Sequence, residues 1–96
     1  NILWSSDRTG DSDEDANVFA FERKDVATGD YAIVVINANL NGSKSPSFGG
    51  QAMAVGAPPG TTLHDALGTL PDPVTVSADG RLSVTLPPSS GAILVP

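Results

Sequence analysis

The stretch "VFAFERKDVATGDYAIVVINAN", residues 18–39, decides the fold. Phe19, Phe21 and Arg23 alternate with Val18, Ala20 and Glu22, a period of two that belongs to a β-strand. Thr28-Gly29-Asp30 sits at the tip of a turn segment. In the run that follows, Tyr31, Ile33 and Val35 face one way and Ala32, Val34 and Ile36 the other. Two strands joined by one short turn make a β-hairpin. Both faces of the second strand are apolar, so the expectation is a central strand covered on both sides.

Working outward, the same logic holds. Ile2–Trp4 is a short strand and Ser5–Asn17 a polar loop. "LNGSKSPSFGG" is loop and "QAMAVG" a short strand. "TTLHDAL" reads either as one helical turn or as a strand leading into a bend. In "PDPVTVSADGRLSVTLPP", Val74 and Val76 alternate with polar residues before a tight Ala78-Asp79-Gly80 turn. Leu82, Val84 and Leu86 alternate after it. This segment is expected to form a hairpin with one dry face. "GAILVP" closes the chain as a strand. No segment shows a helical apolar period over eleven residues or more. Seven or eight short strands with turns about every ten residues predict an all-β, antiparallel two-sheet sandwich.

Composition narrows the function. Ninety-six residues, 40% of them apolar, support one folded domain, with 10 Gly and 8 Pro favouring turns. Five basic residues against eleven acidic ones, a net charge of −6, argue against nucleic acid and against an anionic membrane. The chain has no cysteine and one histidine, which excludes thiolate chemistry and Cys/His metal clusters. No apolar run approaches the length of a membrane span; the longest, Tyr31–Ile36, is far too short. Asn1-Ile2-Leu3-Trp4 reads as strand with no turn before it. Residues 1–96 are therefore expected to be a single domain cut from a longer protein and lacking part of its first strand.

Three constellations deserve chemical reading. Asp11, Asp13, Asp15 and Glu22 fall at positions 1, 3, 5 and 12 of a calcium-loop spacing. The glycine required at position 6 is Ala16, however, and Glu22 lies in a strand, not a helix. A solvated acidic connection, mobile through self-repulsion, is the stronger reading, and Arg8 can pair with its carboxylates. His64 stands beside Asp65, but neighbours on a strand point to opposite faces, and no GxSxG elbow is present. No pair of acids has a reason to be buried across a cleft as a glycosidase pair would be. No catalytic, cofactor-binding or metal-ligating residue is assigned. Sugar binding would need exposed aromatic rings, and the candidates are Trp4, Tyr31 and Phe48. Trp4 is expected in the core, Tyr31 half-buried and Phe48 exposed, with no two aromatics paired.

Phe19, Phe21, Arg23, Val35, Ile36 and Asn37 together resemble the "aFaR…viN" hairpin of the C-terminal β-domain in the α-amylase family of glycoside hydrolases. "GTTLHDAL" and "VTVSADGRLSVTLPPSSGAILVP" fit the same domain, so the resemblance spans Trp4 to Pro96. It implies a Greek-key sandwich that follows a catalytic (β/α)-barrel, packs on it and stabilises it, with the catalytic carboxylates in the barrel. It implies a parent that is a glycoside hydrolase or glucan transferase acting on α-glucans. It also implies that Phe19, Phe21, Val35 and Ile36 are core and that Asn37 bonds to a loop backbone. The acidic loop before Val18 is not part of the resemblance. Two other functions compete: a module binding starch-like chains through Trp4, Tyr31 or Phe48, and an adhesion domain using the acidic loop with calcium. The first reading implies an apolar patch on the domain where the barrel packs, and the solvent exposure of Trp4 separates it from the starch-binding reading.

Overall fold

A computed structural model describes residues 1–10 and 12–96. Among the described residues there is no helix, and the strands are β1 (Ile2–Ser5), β2 (Val18–Lys24), β3 (Tyr31–Asn37), β4 (Ser47–Phe48), β5 (Gln51–Ala54), β6 (Thr62–Asp65), β7 (Val74–Thr75), β8 (Arg81–Leu82) and β9 (Ser90–Val95). They form a six-stranded sheet, β1-β2-β3-β9-β6-β7, and a three-stranded one, β4-β5-β8. Every pairing is antiparallel. The last strand returns to lie between β3 and β6, the long return connection of a Greek key. The all-β sandwich is as the alternation indicates.

The β2–β3 hairpin is present in full register, from Val18 opposite Asn37 to Lys24 opposite Tyr31. Its turn is closed locally. The Asp25 carboxylate accepts the Ala27 and Thr28 amides, and Gly29 takes the positive φ of 79° that a side chain resists. β3 is central, as expected, with β2 on one side and β9 on the other. It is not covered on both faces. Ile33 and Val35 are buried, whereas Ile36 is 42% exposed.

The segment 74–86 departs from the simple hairpin. β7 pairs with β6 in the large sheet, and β8 pairs with β5 in the small one. The turn itself exists: the Gly80 amide donates to the Ser77 carbonyl and the Ser77 amide to the Arg81 carbonyl. It carries the chain from one sheet to the other instead of folding one ladder back on itself. The alternation is nonetheless right in its consequence, because Val76, Leu82, Val84 and Leu86 are all buried. Alternation reports which face is dry, not which strand is the partner. "TTLHDAL" resolves to strand β6 followed by a bend, with Leu63 buried. The two-residue β4 lies inside the Gly/Ser/Pro loop, too short to show any period.

The core lies between the sheets. Val18, Ala20, Ile33, Val35, Leu63, Ala92 and Leu94 come from the large sheet; Met53 and Leu82 face them from the small one. Each such aliphatic side chain contributes about 1.5–3 kcal/mol of burial. Asn37 is also buried in this layer. Its Nδ2 donates to the carbonyls of Gly42, Leu86 and Pro87, and its Oδ1 accepts the Asn39 amide. The loop-backbone bond expected of Asn37 is thus present, and it also reaches Leu86, whose backbone bridges to Lys44.

Candidate functional site

Sheet alternation gives the large sheet two faces. Val18, Ala20, Ile33, Val35, Ala92 and Leu94 point into the core. The residues between them point outward. Register places Phe19 opposite Ile36 and Ile36 opposite Gly91; it places Phe21 opposite Val34 and Val34 opposite Ile93. Ile2 is opposite Phe21, and His64 is opposite Val95. Two apolar rows therefore run across neighbouring strands. Phe19, Phe21, Val34, Ile93 and Val95 are half-buried, Ile36 is exposed and Ile2 is 64% exposed. Solvated faces of antiparallel sheets are normally polar at these positions.

This corrects the expectation for three residues. Phe19, Phe21 and Ile36 are not core; they form the outer face, and of the four residues expected inside only Val35 is there. The reason is packing. Met53, Leu82 and Leu86 approach from the opposite layer, and the smaller Val18 and Ala20 leave them room, within one buried cluster. The correction also supplies an aromatic pair. The rings of Phe19 and Phe21 meet edge to face with centroids 5.9 Å apart.

The outer side of the small sheet is different in kind. Beside the buried Leu82, Val84 and Leu86 stand the half-exposed Arg81 and the exposed Ser83 and Thr85. Ser45 and Thr85 share a hydrogen bond there, and Arg81 donates to the Ala52 carbonyl. This side is mainly polar, with Ala54 opposite Arg81, whereas apolar rows cross the outer face of the large sheet and are flanked by the exposed Arg23 and His64.

The acidic loop is fastened. Asp15 is fully buried and receives Arg8 through two bonds of 2.8 and 2.6 Å, with the Trp4 indole N–H adding a third at 3.0 Å. Lys44 Nζ donates to the Asp13 carbonyl and the Ser45 amide to the Glu14 carbonyl. The loop ends at Asn17, whose φ of 65° is one that asparagine tolerates. The picture of a mobile solvated connection therefore fails at Asp15. Both oxygens of that carboxylate are engaged by cationic or N–H donors, the opposite of what a cation requires. Asp11 lies outside the described residues, and among those described no group of three His, Asp or Glu is placed to hold a metal.

The three aromatic candidates for sugar are scattered and occupied. Trp4 packs against the core and is tied to Asp15. Tyr31 also packs on the core, and its hydroxyl donates to Glu22 at 2.5 Å. Phe48 is 44% exposed, but the Arg8 guanidinium lies over its ring, 3.8 Å from the centroid. Trp4 and Phe48 thus share the Arg8–Asp15 pair without forming one flat platform. His64 is exposed on the outer face, while the Asp65 carboxylate caps its own bend, accepting the amides of Leu67, Leu70 and Ile93.

Four carboxyls among the described residues are held below their ordinary range, the exposed Asp79 by its Ser77 hydrogen bond and three less exposed ones by their own partners. Asp15 is lowered by the Arg8 bonds against the cost of its burial, with help from Trp4. For Glu22 and Asp65 burial alone would raise the pKa. Hydrogen bonds from Tyr31, Asn1 and Gly56 outweigh it at Glu22, and the amides of Leu70, Leu67 and Ile93 outweigh it at Asp65. Burial and the neighbouring Glu22 push the Tyr31 hydroxyl up, so it stays protonated and donating. Carboxyls depressed in the folded state favour folding fully above the unfolded value near 4, and lose that contribution as pH falls through their folded values. Urea midpoints are therefore expected to be level from about pH 5 to 7 and to drop steadily from about pH 4 downward.

Comparison with known proteins agrees with this architecture. No curated protein and no solved structure matches the chain. Residues 10–96 match the family described as "Alpha amylase, C-terminal all-beta domain". The match takes in strands β2 to β9, including the hairpin, and the acidic loop from Gly10 onward, and leaves out β1. This chain belongs to the alpha-amylase C-terminal all-beta domain family, a family of non-catalytic accessory domains.

Proposed function

We propose that residues 1–96 are the C-terminal domain of a longer α-amylase-family enzyme acting on α-glucans. In this reading the outer face of the six-stranded sheet packs on the catalytic (β/α)-barrel of the same chain and stabilises it. The observation that carries the proposal is the asymmetry of the two outer faces. Phe19, Phe21, Val34, Ile36 and Ile93 form contiguous apolar rows on one, and Arg81, Ser83 and Thr85 line the other. Apolar patches of this kind mark contact surfaces. The family description names a C-terminal domain of an amylase, which makes the enzyme's own catalytic unit the natural occupant.

A starch-binding surface is the weaker reading. Sugar rings need flat aromatic faces bordered by hydrogen-bonding side chains. The Phe19 and Phe21 rings are inclined at 69°, and their cross-strand neighbours are Ile36 and Val34. Such a surface suits a dry protein contact.

Deleting residues 1–96 from the parent tests the proposal. The remaining catalytic unit is expected to melt lower and to bind a hydrophobic dye, because its own half of the contact becomes exposed. A truncated enzyme with full stability and no new dye binding would overturn it.

A further inference from the structure

The turn at 38–43 holds the chain's single Asn-Gly pair, Asn41-Gly42. The other asparagines precede Ile2, Val18, Ala38 and Leu40. The side-chain amide carbon of an asparagine is open to attack by the backbone nitrogen of the next residue. Glycine, with no side chain, leaves that nitrogen unshielded. Asn41 is exposed, yet in the fold the attacking nitrogen is engaged. The Gly42 N–H donates to Asn39 Oδ1 at 3.1 Å, and the Asn41 N–H donates to the same oxygen at 2.9 Å. The Gly42 carbonyl accepts from Asn37 Nδ2. Asn39 is 4% exposed, and its own Nδ2 donates to the Gly10 carbonyl and to Asn17 Oδ1. The acceptor that holds Gly42 is therefore anchored from the other side of the turn.

We propose that Asn41 is the domain's site of deamidation by water, and that Asn39 restrains the reaction by holding the Gly42 N–H. The inference is independent of the docking reading. In the first step the Gly42 amide nitrogen gives its proton to a solvent base and bonds to Asn41 Cγ. The Cγ–Nδ2 bond breaks, and Nδ2 leaves as ammonia with a proton from water. Water then opens the cyclic imide at Cγ to give aspartate, or at the Asn41 main-chain carbonyl to give isoaspartate. Asn39 Oδ1 opposes the first step by stabilising the proton on nitrogen and by repelling the nitrogen anion. It also stops the Gly42 nitrogen from turning towards Cγ, because the rigid peptide planes on both sides of Asn41 are tied to one oxygen. Isoaspartate would add a methylene to the main chain inside the turn and draw the Gly42 carbonyl away from Asn37. Glycine itself is not demanded at position 42. Its φ lies outside the left-handed region, and a Cβ there would meet Lys44 Cε at an ordinary 3.8 Å.

The test incubates the full-length protein at mildly alkaline pH and follows Asn41 by peptide mapping, reading the mass gain of NH2 replaced by OH and the isoaspartate fraction. A synthetic peptide of residues 38–45 gives the unrestrained rate. Asn41 is expected to convert at least about fivefold more slowly in the protein than in the peptide, the rate equivalent of one net hydrogen bond. Asn39→Ala and Asn39→Asp both lose the Nδ2 bonds, and Asn39→Asp keeps an acceptor for Gly42. Asn39→Ala is expected to convert about fivefold faster than Asn39→Asp. Gly42→Ala is expected to fold as the unsubstituted chain does and to convert more slowly. Equal rates in protein and peptide, or in the two Asn39 variants, would overturn the restraint; the peptide comparison stands even where an Asn39 variant fails to fold. A protein that stays unmodified at Asn41 in Asn39→Ala while the peptide converts would overturn the site.

Discussion

Asn37→Asp is expected to destabilise the domain by about 3 kcal/mol or more, because it places an acceptor-only group where three carbonyls converge. In the native chain Asn37 Nδ2 lies 3.1 Å from the Gly42 and Leu86 carbonyl oxygens and 3.0 Å from that of Pro87. The residue is 1% exposed, so water cannot replace the lost donor. An ionised carboxylate there meets three negative dipoles in a low-dielectric layer. For a domain of this size the loss corresponds to a fall in melting temperature of more than about 10 °C. The pH dependence carries a sign. The buried carboxyl is raised above its unfolded value, so the penalty relative to the parent sequence is full above the raised folded value, shrinks as pH falls from there towards the unfolded value near 4, and levels off below it, where the acid is neutral in both states and donates a hydrogen bond in the fold. A variant that melts within a degree or two of the parent at pH 7 would show that Asn37 does not hold these three carbonyls as described.

The second large effect separates two adjacent residues of β9. Leu94 is buried between the sheets, and Ile93 points to the outer face. Leu94→Ala is expected to cost about 2–5 kcal/mol in the domain itself, as core truncations do. Ile93→Asp leaves the core intact, and its effect on the domain's own folding is expected to be much smaller. In the full-length enzyme the order reverses for docking. A carboxylate on the apolar face is left without a partner at the contact, and association is expected to fall by a factor of about a hundred. Denaturation of the domain alongside calorimetry of the enzyme reads both quantities. Equal docking in Ile93→Asp and the parent sequence would remove β9 from the contact.

Much of this was legible in the chain before its structure. The period of two at 18–24 and 31–37, the turn at Asp25–Asp30 and the dry positions Val76, Leu82, Val84 and Leu86 all follow from alternation. Sidedness did not follow. Strands β2 and β3 carry apolar residues on both faces, and the larger ones, Phe19 and Phe21, draw the eye to the wrong side. Periodicity has no information about which apolar set meets the second sheet; the sizes of Met53, Leu82 and Leu86 across the core decide it. Strand partnership was hidden for the same kind of reason. A tight turn at Ala78–Gly80 marks a reversal, but the divergence of β7 and β8 into separate sheets depends on β5 and β6, which lie well upstream. The burial of Asp15 was foreshadowed only by Arg8 in the same loop. The Trp4 N–H that completes its partners comes from another strand.

Hydroxyl-radical footprinting of the intact enzyme tests the central claim most directly, with oxidation of each side chain normalised to its intrinsic reactivity. Phe19, Phe21 and Ile93 are accessible on the domain, as are Phe48 at 44% and Val26 at 90% exposure. If the outer face of the six-stranded sheet packs on the barrel, the first three are strongly protected while Phe48 and Val26 react fully. Oxidation of Phe19, Phe21 and Ile93 in proportion to their exposure on the domain would contradict the docking of this face.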